Sequence, residues 1–142
     1  MEEMPEMARE NIRSQFIARQ SELISRMVSI TGHTYSFNID WNKLYLRTPA
    51  NNPLKNQLGT ALYDYFSAFC TNVGQVFASN EKARQRFIAV THMRQLKATL
   101  FSGGDNFWYH TNLRGGFLWL IIPATSVGKK RETFGSNIIM VM

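Results

Sequence analysis

The chain has 142 residues, 44% hydrophobic and 18% charged, a balance that excludes a disordered segment and suits one domain with a real core. Sixteen Lys+Arg against ten Asp+Glu give a net charge of +6. A single cysteine, Cys70, excludes an internal disulfide, and no apolar run approaches the ~20 residues of a spanning helix. No leader with an apolar centre is visible, so the sequence predicts a soluble, intracellular protein, cytoplasmic or nuclear, with no membrane partner.

Residues 1–6 read as a loose acidic lead, and 7–142 as a single α+β domain. From Pro5 to about Ile30 the apolar residues Ile12, Phe16, Ile17, Leu23, Ile24, Met27 and Val28 recur at helical spacing, with Gly32 as the stop. The period then becomes two: Tyr35, Phe37, Ile39 and Trp41 share one face of "HTYSFNIDW". A turn at Asp40–Asn42 and the alternation of "KLYLRT" complete a predicted hairpin. After the loop "TPANNP", Pro53 opens a second helix with an apolar stripe from Leu54 to Phe77. Gly59 and Gly74 each weaken such a helix by roughly 1 kcal/mol against alanine. Ser79 or Asn80 caps a third, with Ala83, Phe87 and Val90 inward.

Strands follow: "HMRQLKATLF", "NFWYHT", "FLWLIIPA" and, after the loop "TSVGKKRETFGS", "NIIMVM". The predicted order is α-β-β-α-α-β-β-β-β. Consecutive late strands without βαβ units favour a mostly antiparallel sheet of five to six strands with about three helices packed on it. "FLWLII" and "NIIMVM" are apolar on both faces, so the second face near the C-terminus needs a cover, either helix or a partner. An apolar strand at the end of the chain points to a homo-oligomer, most simply a dimer, with Trp108, Trp119, Ile121, Ile139 and Val141 as interface residues.

No motif fixes a reaction. His33, His92, His110 and Cys70 show no zinc spacing, so no metal site is expected. Cys70 sits mid-helix among Phe66, Phe69 and Val73, where a thiol acts as a small hydrophobe rather than a nucleophile. The carboxylates Glu22, Asp40, Asp64, Glu81, Asp105 and Glu132 form no evident acid–base pair. "PATSVGKKRE" has Pro123 where a phosphate loop needs its first glycine and Lys130 where it needs Ser or Thr. "RGGFLWL" has Gly116 where an RNA-binding strand signature needs an aromatic. The sequence therefore predicts no enzyme and no cofactor.

Charge remains. The first ten residues hold Glu2, Glu3, Glu6 and Glu10 against Arg9, a net of −3, so the rest of the chain is +9. Between 82 and 131 nine cations stand against Asp105 alone. Lys129, Lys130 and Arg131 on a glycine-flanked loop, with Lys82, Arg84, Arg86, Arg94 and Lys97, suit the phosphates of a nucleic acid, DNA or RNA. The leading expectation is a non-enzymatic basic module on nucleic-acid phosphates. The alternative is a structural or adaptor protein that assembles through its apolar C-terminal sheet, its charge meeting an acidic protein.

Overall fold

Helix boundaries follow local chemistry closely. The structure, a computed structural model, describes residues 4–101 and 110–123. The N-terminal stripe forms α1 (Glu6–Ile12), a π-helical turn (Arg13–Ile17) and α2 (Gln20–Thr31), which ends on Gly32 at φ 77°. Ile12, Phe16, Leu23 and Met27 are buried, whereas Ile17 and Val28 are exposed. The Asp40 carboxylate accepts the Lys43 N–H and starts α3 (Trp41–Arg47). Asn52 caps a 3₁₀ turn (Pro53–Gln57) that leads into α4 (Leu58–Ala78). Asn80 caps α5 (Glu81–Val90) through the Ala83 N–H. At the C-terminal ends of α2, α3 and α5 stand buried threonines, Thr31, Thr48 and Thr91. Each donates its hydroxyl to the carbonyl four residues back, on Met27, Leu44 and Phe87.

Four strands, β1 (Ser36–Phe37), β2 (Gln95–Phe101), β3 (His110–Arg114) and β4 (Phe117–Pro123), form one sheet in the order β1-β2-β4-β3. β1 pairs parallel to β2 and β2 parallel to β4; only β3 and β4 pair antiparallel. The antiparallel sheet of five to six strands expected from the sequence is thus overturned: among the described residues the fold is helix-dominated, with a small mixed sheet. β2 and β3, consecutive in the chain, are not neighbours, because β3 lies beyond β4 rather than between β2 and β4. β4 consequently has a strand on either side, and its apolar run divides between a buried row, Leu118, Leu120 and Ile122, and a half-buried row, Phe117, Trp119 and Ile121.

The predicted hairpin is overturned too. Its first arm is a strand only at Ser36–Phe37, and its second arm is α3. Trp41, Leu44, Tyr45 and Thr48 are the positions that α3 and its C-cap turn inward, a helical spacing hidden beneath the alternation of Leu44 and Leu46. The position of α3 has a consequence for the sheet. β1 is two residues long, and the β2 edge beyond it meets α3, whose Arg47 donates to the Leu100 carbonyl at 3.2 Å. The second face expected on 137–142 lies outside the described residues.

One core joins these layers. Leu96, Ala98, Leu100, Leu118, Leu120 and Ile122 line the inner sheet face and belong to the same cluster as Phe66, Phe69 and Val73 of α4 and Phe87 of α5. Phe16, Phe37, Trp41 and Phe66 meet edge to face, with Phe37 and Phe66 centroids 4.8 Å apart and Phe16 5.0 Å from both Phe37 and Trp41. α1 approaches α4 at Gly59, where a Cβ would lie 2.5 Å from the Asn11 carbonyl oxygen. The Asn11 amide locks that contact: its oxygen accepts the Thr60 N–H and its nitrogen donates to the Thr60 hydroxyl. No helix among the described residues is long and apolar enough to cross a membrane.

Candidate binding face of the sheet

The side chains that alternate with the inner rows define the opposite face. β2 contributes Gln95, Lys97 and Thr99, and β4 contributes Phe117, Trp119 and Ile121, all half-buried. Register places Lys97 beside Trp119 and Thr99 beside Ile121. The Lys97 ammonium lies 4.4 Å from the Phe117 ring centroid and 5.1 Å from that of Trp119. Such contacts hold a cation over aromatic faces at about 0.5–1 kcal/mol each where water has access. Arg47 reaches this face from α3 and donates to the Thr99 hydroxyl at 3.4 Å. Phe117, Trp119 and Ile121 belong neither to the core nor to the partly buried residues packed against it. None of the described side chains on this face is acidic.

The described basic residues singled out from the sequence, Lys82, Arg84, Arg86, Arg94 and Lys97, do not converge. Arg84 donates to the Ile30 and Thr31 carbonyls at 2.8 and 3.0 Å and pairs with Glu81. It satisfies the last carbonyls of α2, where a cation also suits the helix dipole. Arg94 adopts φ 55° and donates to the Ile88 and Thr91 carbonyls, closing the end of α5, with its guanidinium over the Tyr35 ring. Both side chains are thus engaged at helix ends. Lys82 and Arg86 are exposed on α5, on the helical side of the sheet, whereas Lys97 stands on the far side. A single basic surface from residues 82–97 is therefore not assembled. Lys129, Lys130 and Arg131 lie outside the described residues, as do Trp108, Ile139 and Val141.

Of the interface candidates, Trp119 and Ile121 are described, and they share the outer face. Sequence reasoning missed their neighbours Phe117, Thr99 and Arg47. The parity of Phe117 with Trp119 was readable; the arrival of Arg47 from a helix was not.

Reactive groups elsewhere are held in structural roles. Burial pushes the Cys70 thiol up to about 11, against a small opposing effect of Arg26. Burial also raises the Tyr35 hydroxyl, which bonds the Thr91 hydroxyl within the core. Tyr63 is raised chiefly by its hydrogen bond to the Glu22 carboxylate. Among the described residues no three His, Cys, Asp or Glu side chains come together as a metal-binding group.

Comparison with known proteins gives no match: no family model fits the chain, and neither a curated protein nor a solved structure is significantly similar to it.

Proposed function

We propose that this protein is a non-catalytic interaction module that docks an acidic protein partner on the outer face of β2 and β4. The observation that carries this reading is the composition of that face: Phe117, Trp119 and Ile121 in one row, with Lys97 and Arg47 as its cations and no acidic side chain among the described residues. Tryptophan and arginine are the residues on which interface energy concentrates, and a row of apolar side chains beside fixed cations fits an acidic segment with apolar anchors. The competing phosphate reading loses Arg84 and Arg94 to helix ends and divides Lys82 and Arg86 from Lys97 across the sheet.

The test is a titration of the full chain with two labelled probes at near-physiological salt. One is a capped peptide alternating glutamate with leucine and tryptophan; the other is a single-stranded oligonucleotide. Saturable peptide binding that weakens about tenfold in both Lys97→Glu and Trp119→Ala supports the assignment. Tighter oligonucleotide binding, falling linearly in log K with log salt and lost when Lys129–Arg131 are neutralised, overturns it in favour of phosphate recognition. A doubled mass in sedimentation that Trp119→Glu abolishes identifies the occupant as a second copy instead.

A further inference from the structure

At the other edge of the sheet, β1 meets the π-helical turn across a cavity of about 280 Å³. Buried Phe16 lies at its base with the half-buried rings of Phe37 and Trp41. Ile17 and Ile39 line its sides, and Ile17 is 47% exposed although it is a large aliphatic residue. The polar lining consists of two amides, Gln20 and Asn38, and no charged side chain among the described residues contributes.

Two backbone features mark this place. In the π-helical turn the Ala18 N–H donates to the Arg13 carbonyl, five residues back, at 2.9 Å. This extra residue lets Phe16 stay in the core while the inner stripe of α2 restarts at Leu23, and it turns Ile17 out to the cavity. Turns of this kind are rare and frequent at functional sites. The second feature is the strand edge. Ser36 donates to the Arg94 carbonyl just before β2 at 3.0 Å, and Asn38 to the Leu96 carbonyl within it at 2.9 Å. Phe37, between them, directs its own N–H and C=O away from β2, along an edge that pairs with no other strand among the described residues.

We propose that this groove binds an extended peptide segment of a partner, added as a strand beside β1, with one large uncharged side chain seated between Phe16, Phe37 and Trp41. The outward peptide group of Phe37 supplies a donor and an acceptor for a neighbouring main chain, and the ring-lined cavity supplies the side-chain pocket, the two parts of strand-addition recognition. At about 280 Å³ the cavity stands at the small end of the ~300–1,000 Å³ range of ligand pockets, a size suited to one large side chain. The uncharged lining selects against a charged anchor, which would lose its hydration without a counter-charge. This groove is separate from the outer sheet face, and the proposal does not depend on what that face binds.

The experiment uses the ¹⁵N-labelled full chain and a capped pentapeptide, Thr-Val-Phe-Val-Thr. Expected are saturable shifts at the Phe37 and Ile17 amides, with exchange of the Phe37 N–H slowed about tenfold at saturation. A pentapeptide with aspartate in the centre, or the exposed-site variant Ile17→Glu with the phenylalanine probe, should bind about tenfold more weakly. A thermal melt confirms that Ile17→Glu remains folded, and Trp119→Ala should bind as the wild type does. Absence of shifts at Phe37 and Ile17 overturns the proposal. So does binding of indole alone in the cavity while the pentapeptide leaves Phe37 exchange unchanged, a result that would make this a small-molecule pocket. Shifts centred on Trp119 would likewise overturn it.

Discussion

The two faces of the small sheet use the same strands for opposite ends. Towards α4 and α5, Leu96, Ala98, Leu100, Leu118, Leu120 and Ile122 are between 0% and 7% exposed and close against phenylalanine rings. On the far side, Lys97, Thr99, Phe117, Trp119 and Ile121 remain half-buried and mix cation, hydroxyl and ring. The first arrangement is what burial of apolar area dictates, at about 25 cal/mol per Å². The second is poor core material but suitable for a partner, since it keeps a charge in reach of water and a tryptophan near the surface. The lesson is that stability and recognition separate here by side-chain parity along β2 and β4.

That separation can be broken first on the helical side. Leu118→Ala, at 0% exposure, should cost about 3 kcal/mol in a denaturant titration, from lost transfer energy plus the cavity left behind. Gly59→Ala should cost about as much, roughly 3 kcal/mol, although it adds only a methyl group. Its Cβ meets the backbone of Asn11 and Ile12, which cannot yield as a flexible side chain does. A melt of Gly59→Ala close to the wild type would show that α1 is not seated against α4 as described.

Smaller effects sharpen the picture. Arg84→Met should destabilise by about 1–2 kcal/mol by releasing the Ile30 and Thr31 carbonyls, without altering peptide or oligonucleotide binding. A loss of binding with unchanged stability would return Arg84 to the list of ligand contacts. Cys70 offers a test by pH. Its folded pKa of about 11 stands above the ordinary thiol value of 9.0, so its contribution is full below pH 9 and is lost as pH rises towards 11. The stability of the wild type relative to Cys70→Ala should therefore fall by about 2 kcal/mol between pH 9 and 11. Smallest of all, Trp119→Ala should change stability by less than about 1 kcal/mol, since Trp119 lies outside the core. A cost like that of Leu118→Ala would mean that the outer face is a second core.

Much of the scaffold was legible in residue order. The period-3.6 stripes of α4 and α5, the Asn80 cap, the stop at Gly32 and the two-sided apolar run of β4 all follow from local chemistry. The inward set Tyr35, Phe37, Ile39 and Trp41 also held as a set, although little of it is strand. Residues 41–47 were misread because Leu44 and Leu46 alternate, while the stronger signal was Asp40 as a cap before Trp41, Leu44 and Tyr45. Periodicity reports which side of a segment turns inward, so it identified the shared face of Trp119 and Ile121. It carries no information about where a connection passes, and that alone decided that β4 runs parallel to β2 with β3 outside it. Nor does an arginine's identity distinguish a solvated cation from a clasp: Arg84 and Arg94 donate to carbonyls that the fold presents to them at the ends of α2 and α5. The sequence by itself determined the inward stripes of α2, α4 and α5 and the side-chain parity of β2 and β4. Tertiary structure decided strand order, the fate of the charges and the groove beside β1, because each depends on groups far apart in the chain meeting in space.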